Sequence, residues 1–289
     1  MAREDLRSSL VARRPIQAMA THSPLSGMLA EEAGFEALWA SGFEFSALMG
    51  LPDISLVSMT QHLDMLRAIA GRVGIPLVAD LDTGFGNALN VRHAVVEYER
   101  AGAAAVVIED KQFPKVSSLT PDGRQELVRT EEFQGKVEAA RDARRRAETV
   151  IIARTEALIA GLGISEALAR AAAYAEAGAD AVLVHSKSKD PAEIEAFIGA
   201  WDGRVPLVLV PTAYPEMNVE RMGATGKVGL AIWGNHAIRA CVAAMRAAFA
   251  QVRHDGGVLA VEPKIATVDE VFSLQGVDEV KALERRYLR

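Results

Sequence analysis

Eight short apolar runs recur along this 289-residue chain, and helical patterns separate them. The runs lie at residues 16–19, 37–41, 76–80, 103–109, 150–154, 181–185, 206–211 and 228–233. Each spans four to seven residues, most are rich in Val, Ile or Leu, and such lengths suit buried strands better than helices. Helical spacing occupies residues 23–33, 58–73, 88–101, 130–146, 165–177, 190–201 and 235–253, and several of these stretches open on Ser, Thr, Asp or Asn. Gly34, Gly102 and Gly178 follow helices in "EAGF", "RAGAAA" and "EAGADA", the position of a C-cap glycine. Strands alternating with helices make a parallel sheet, and eight of them close a barrel. The expected fold class is therefore α/β, a (β/α)8 TIM barrel. An open doubly wound sheet is the structural rival, but no G-x-G-x-x-G follows the first run, which weakens its dinucleotide-binding version. No linker interrupts the pattern. One barrel domain over residues 1–289 is expected, with 236–289 as a C-terminal helical extension packed outside the barrel or on a neighbouring subunit.

Half the residues are hydrophobic and 24% are charged, the balance of a soluble globular protein with a large core. The formal charge is −6 and no basic stripe appears, so nucleic-acid binding has no electrostatic footprint. Local cations would have to hold an anionic substrate. Cys241 is the sole cysteine, which excludes an intramolecular disulfide or a cysteine metal cluster. The charged start has no apolar core of a signal peptide, and no uncharged apolar run is long enough to span a membrane. A cytoplasmic enzyme is the expectation, with no membrane partner.

Chemistry in such barrels sits at the carboxyl ends of the strands. Those ends here are polar: Ser41-Gly42, Asp80-Leu81-Asp82, Glu109-Asp110-Lys111, Arg154-Thr155-Glu156, His185-Ser186 and Gly234-Asn235-His236. Asp80 and Asp82 are two apart, so on a strand they face the same way, and Glu109 comes from the next strand. Three converging carboxylates call for a cation, and an all-oxygen set suits Mg²⁺ or Mn²⁺. The alternative is that these acids cap helices or stay solvated. Arg154 needs an anion beside it, either Glu156 or a substrate carboxylate or phosphonate. His185 is a structural histidine or a ligand contact, and its place at the rim favours contact. Residues 111–124 form a long polar loop that reads as a lid, with Lys115, Ser117 and Ser118 offering a cation and hydroxyls. Asp53 in "LPDIS" reads by itself as a turn acid.

The segments "WASGFEFSALMGLPD", "DLDTGFGN", "EDKQFPK", "IIARTEALIAG" and "VHSK" together resemble the phosphoenolpyruvate mutase/isocitrate lyase superfamily. The likeness runs nearly end to end and includes "PTAYP", "GNHAIRA" and "LQGVDEV". The resemblance implies a (β/α)8 barrel whose last helix swaps between subunits, giving dimers that pair into a homotetramer. It implies Mg²⁺ near Asp80, Asp82 and Glu109, with Asp53 helping through water. It sets the pyruvate moiety of a small anionic α-keto acid against Trp39, Ser41, Gly42 and Phe43. It assigns Arg154 and His185 to the substrate's anionic ends, and makes Lys115–Leu119 a gating loop.

Within the superfamily the chain resembles most the members that hydrolyse the P–C bond of phosphonopyruvate, with the phosphoenolpyruvate mutases next. The carbon–carbon lyases carry Cys in a K-(K/R)-C-G-H loop. Here the loop reads Lys115-Val116-Ser117-Ser118-Leu119, which disfavours isocitrate-like cleavage. Mutases of this family typically place Asn where Ser117 stands, and the hydrolases a small hydroxyl residue, more familiarly Thr. Hydrolysis is thus the expected activity. Phosphoenolpyruvate mutation, an oxaloacetate-type hydrolase or decarboxylase, and a binding protein without catalysis are the other readings.

Overall fold

The computed structural model describes residues 6–118, 120, 123 and 125–288. Its strands are β1 Ile16–Thr21, β2 Ala37–Ala40, β3 Leu77–Asp80, β4 Ala105–Glu109, β5 Val150–Thr155, β6 Ala181–Val184, β7 Leu207–Leu209 and β8 Val228–Trp233. Each pairs in parallel with its neighbour in chain order, and β1 pairs with β8 to close the barrel. The helices of this unit are α1 Leu6–Val11, α2 Pro24–Glu32, α3 Gly42–Leu48, α4 Met59–Ala70, α5 Ala88–Arg100, α6 Thr130–Ala143, α7 Gly163–Glu176, α8 Ala192–Ala200 and α9 Val219–Ala224. All eight expected strands are present. Helices α1, α3 and α9 were not expected, because six or seven residues complete too few turns to show a period.

Side-chain alternation explains where the functional residues point. Val78, Val107, Ile152 and Leu183 share one buried cluster with Trp39, Val208 and Ile232 inside the barrel. Leu77, Ala79, Val106, Ile108, Ile151 and Ala153 face the helices instead, in a cluster with Leu63, Leu66 and Val91. Two residues beyond each inward apolar position comes the next inward one. Those next positions are Asp80, Glu109, Arg154 and His185, so the barrel's packing register places all four on its inner rim. The opposite end is filled by α1, whose Leu6 and Leu10 join the inner cluster. Gly229 permits that approach: a Cβ there would stand 2.6 Å from the Leu10 carbonyl oxygen.

The expected C-cap glycines Gly34, Gly102 and Gly178 have φ of 87°, 102° and 105°, the conformation that ends each helix before its strand. The chain divides into two compact units, Met1–Ala237 and Ile238–Arg289. The second unit carries most of α10 His236–Asp255, then α11 Val268–Gln275 and α12 Val277–Tyr287. Gly276, at φ 74°, makes the joint between α11 and α12. No residue of α11 or α12 is buried, and Phe249, Leu259, Val268, Phe272 and Tyr287 are exposed. Among the described residues no helix is long and apolar enough to cross a membrane.

Candidate active site

A small cavity opens at the carboxyl ends of the strands. Its lining includes Trp39, Ser41, Phe43, Asp53, Asp80, Lys115, Ser117, Ser118, Arg154 and His185. Residues from five separate segments of the sequence analysis therefore meet in one place. Gly42 and Asp82 adjoin them: a Cβ on Gly42 would stand 2.9 Å from Asp82 Oδ1 and 3.4 Å from Asp80 Oδ2. Leu119 lies outside the described residues.

The pocket has an acidic half. Asp80 ends β3, and its Oδ1 accepts from the Asp82 backbone N–H at 3.1 Å. Asp82 is not on the strand. Its φ of 49° turns the chain, so the two acids converge through a turn and not through the two-residue repeat expected from the sequence. Two interactions support that turn: the Asp82 carbonyl accepts from the Glu109 N–H at 2.8 Å, and the buried Lys136 ammonium donates to the Thr83 carbonyl at 2.9 Å. Lys115 Nζ lies 2.6 Å from Asp82 Oδ1 and 2.9 Å from Asp53 Oδ1, which draws Asp53 into the site. Burial opposes the Lys115 charge, but Asp82, Asp53, Glu109 and Asp80 outweigh it and hold the ammonium protonated. Burial pushes the Asp82 carboxyl up to about 7 against the pull of Lys115, and also raises Asp80.

The cationic half centres on Glu156. Its Oε1 accepts from Arg154 Nε at 2.6 Å, and its Oε2 lies 3.1 Å from Lys111 Nζ and accepts from the Ser118 hydroxyl. Arg154 also reaches Glu109 Oε2 at 3.3 Å. Of the two partners weighed for Arg154 from sequence, the structure shows Glu156, which orients the guanidinium beside the pocket it lines. Arg154 Nη2 meets His185 Nδ1 at 3.0 Å. A guanidinium only donates, so Nδ1 accepts and the ring proton lies on Nε2. Burial lowers the His185 pKa in spite of Glu156, which keeps the ring neutral near pH 7. Asp110, fully buried behind the rim, fixes Glu156 by accepting from its backbone N–H at 2.8 Å and from Tyr174 Oη at 2.7 Å.

Five carboxylates (Asp53, Asp80, Asp82, Glu109, Glu156) meet three cations (Lys111, Lys115, Arg154) at this mouth. When all are ionised, the described groups are two positive charges short. Glu109 Oε1 is buried with no hydrogen-bond partner. Among the described residues no three His, Cys, Asp or Glu side chains surround a single point, so Asp80, Asp82, Glu109 and Asp53 do not form a closed cage. Mg²⁺ does not require one: it binds through one or two carboxylates and keeps several waters. The donor set, the orphaned oxygen and the missing Cβ at Gly42 fit a hard divalent cation.

A phosphoenolpyruvate phosphomutase family model matches residues 6–253. The chain belongs to the phosphoenolpyruvate phosphomutase family. Among its relatives, phosphonopyruvate hydrolase of Variovorax sp. strain Pal2 is 56% identical over 98% of both chains. Phosphoenolpyruvate phosphomutase of Tetrahymena pyriformis is 46% identical, covering 93% of this chain and 90% of the relative. A crystal structure of a phosphonopyruvate hydrolase complex with oxalate and Mg²⁺ superposes with a TM-score of 0.94 at 54% identity, over 99% of both chains. Sequence reasoning passed over several pocket residues of this family member. Lys111 stood in a quoted motif without a role, and Val210, Thr212 and Asn235 come from the ends of β7 and β8. The rule that strand ends carry the chemistry pointed to Asn235, whereas Thr212 lies two residues beyond the inward Val210 and was found by no pattern.

Behind the acidic turn, His62 is packed among rings: its centroid lies 4.6 Å from that of Phe45, 5.4 Å from Tyr98 and 6.5 Å from Phe85. Both ring nitrogens are buried without partners. Burial, helped by the Lys115 charge, lowers its pKa to about 3. The unfolded chain, with an ordinary histidine near 6.5, binds the proton more readily, so His62 makes stability fall as pH drops from about 6.5 towards 3. The variant His62→Phe is expected to lose less stability across that window than the parent. Urea unfolding at pH 7 and pH 4.5 checks this; parallel losses in both proteins contradict it.

Proposed function

We propose that the chain hydrolyses the P–C bond of phosphonopyruvate, giving pyruvate and phosphate in a Mg²⁺-dependent reaction. The observation that carries this reading is Ser117, a small hydroxyl residue lining a pocket whose acidic half suits a divalent cation and whose cationic half suits an anion. The high identity to a named phosphonopyruvate hydrolase over nearly the whole chain supports it. Asp80, Asp82 and Glu109, with Asp53 through water, are the residues proposed to hold the metal. Bound there, Mg²⁺ would supply positive charge that stabilises the enolate formed as the P–C bond breaks.

The chain's own residues do the rest. Ser41 Oγ caps α3 by accepting from the Glu44 N–H, which leaves the Phe43 N–H at the mouth to bind the substrate carboxylate, beside a Gly42 N–H that donates weakly to Asp80 Oδ2 at 3.4 Å. Trp39 packs against the pyruvate moiety. Arg154 and the Nε2 proton of His185 face the phosphonate, and the charge of Arg154 and the donors of both position a metaphosphate-like phosphoryl group. Lys115, Ser117 and Ser118 close the gating loop above it. Water attacks phosphorus, the P–C electron pair passes into the enolate, and protonation of the methylene carbon completes pyruvate. Ser117 is small enough to leave room for that water, where Asn would fill the space.

Ser117→Asn is therefore expected to suppress phosphate release by about 10²-fold. Comparing initial rates of phosphate and phosphoenolpyruvate formation checks it, and unchanged phosphate release would remove Ser117 from the mechanism. We further infer a homotetramer with swapped C-terminal helices and a cytoplasmic location. Phe249, Val268, Phe272 and Tyr287 give the second unit an apolar surface that another copy of the chain would cover. Sedimentation analysis tests the assembly.

A further inference from the structure

Lys111 follows Glu109 and Asp110 at the end of β4, and its side chain is almost wholly buried. Its backbone is pinned where the long loop leaves and re-enters the barrel. Lys111 bridges Leu127 in antiparallel fashion, the Gln112 N–H donates to the Glu126 carbonyl at 2.9 Å, and the Val128 N–H donates to the Asp110 carbonyl at 2.9 Å. From this fixed stem the ammonium reaches three oxygens: the Val116 carbonyl at 2.8 Å, Ser118 Oγ at 2.7 Å and Glu156 Oε2 at 3.1 Å. An ammonium has three protons and no acceptor capacity, so every donor has a partner. Two of those partners lie on the loop over the pocket, and the third directly follows β5.

We propose that Lys111 is a positioning residue, a bolt that fastens residues 116–118 to Glu156 and so sets Ser117 over the reacting phosphoryl group; this rests on the hydrolase reading above. The bolt has an electrostatic consequence too. Glu156 already spends one oxygen on Arg154 Nε, at 2.6 Å. Were Arg154 its only cationic partner, the pair would be neutral and would attract an anion poorly. With Lys111 added, the Lys111–Glu156–Arg154 group carries one net positive charge, which offsets Glu109 beside Arg154, and the edge of Arg154 that lines the pocket remains available to a phosphonate. Loop closure and anion binding thus share one carboxylate, and Lys111 links them.

The test compares Lys111→Met, which removes charge and donors at similar length, with Lys111→Arg, which keeps both. Two readouts are taken on protein shown by circular dichroism to be folded: steady-state hydrolysis of phosphonopyruvate with Mg²⁺, and the rate at which trypsin cuts after Lys115, followed by mass spectrometry. Lys115 is itself buried, so the bolted loop protects this bond. The expected result for Lys111→Met is a kcat lower by about 10²-fold, a raised KM and cleavage about tenfold faster, with Lys111→Arg recovering most of both. Wild-type kcat, KM and cleavage rate in folded Lys111→Met would overturn the proposal. Should that variant not fold, Ser118→Ala removes one loop acceptor of the same ammonium, and unaltered cleavage there overturns it equally. The proteolysis needs no substrate. A parent protein inert towards phosphonopyruvate therefore refutes the reaction, while the trypsin arm still decides the bolt.

Discussion

Arg154→Ala is expected to lower kcat/KM for phosphonopyruvate by about 10³-fold or more. The guanidinium is the pocket's strongest donor, held by Glu156 at 2.6 Å and Glu109 at 3.3 Å. Burial works against its charge, yet Glu156, Glu109 and Asp80 together hold it protonated above its ordinary pKa. Deleting it removes the grip on the substrate and also strands two buried carboxylates, a loss of about 3–5 kcal/mol for a buried pair broken on one side. Both effects act in the same direction, so kinetics should be read beside a melting curve. Arg154→Lys should rescue only part of the activity, because an ammonium cannot reproduce the planar fork that serves Glu156 and the phosphonate together. Wild-type turnover in folded Arg154→Ala would show that the anion is held elsewhere.

The second large effect concerns Asp80. Asp80→Ala is expected to weaken Mg²⁺ binding by at least about 10²-fold, by analogy with the 10–100-fold cost of losing even an outer-shell partner. Asp80 sits where the inner face of β3 meets the pocket, and among the described residues no cation forms an ion pair with it: its hydrogen bonds are from the Asp82 N–H at 3.1 Å and the Gly42 N–H at 3.4 Å. Asp53 and Asp82 differ, since Lys115 lies within 2.9 Å of both. Calorimetric titration of the metal into parent and variant, without substrate, gives the comparison. Equal affinity would mean that the ion is not bound at this rim.

The barrel was legible because each strand is buried on both faces and so appears as a short apolar run between helices with their own period. The rim was legible for a related reason: on β3 to β6 the inward apolar positions lead at a step of two to Asp80, Glu109, Arg154 and His185. Legibility ended where the chain leaves regular structure. Asp82 reaches the site through a positive-φ turn, a geometry in which a two-residue repeat has no meaning. Asp53 by itself looked like an ordinary turn acid, and only the family resemblance pointed to it; in the structure Lys115, 62 residues later in sequence, joins it to the pocket. Lys111 seemed one more polar residue of a loop, because its role depends on three acceptors that only the folded loop assembles. Helices α1 and α3 were too short to betray a period, although α3 begins at the Gly42 already singled out.

The central claim is that a metal-supported pocket passes the phosphoryl group of phosphonopyruvate to water. Phosphorus NMR of purified protein mixed with phosphonopyruvate and Mg²⁺ tests it most directly. The account predicts that the phosphonate signal gives way to inorganic phosphate and that chelation of the metal stops the conversion. Accumulation of phosphoenolpyruvate without phosphate would contradict it.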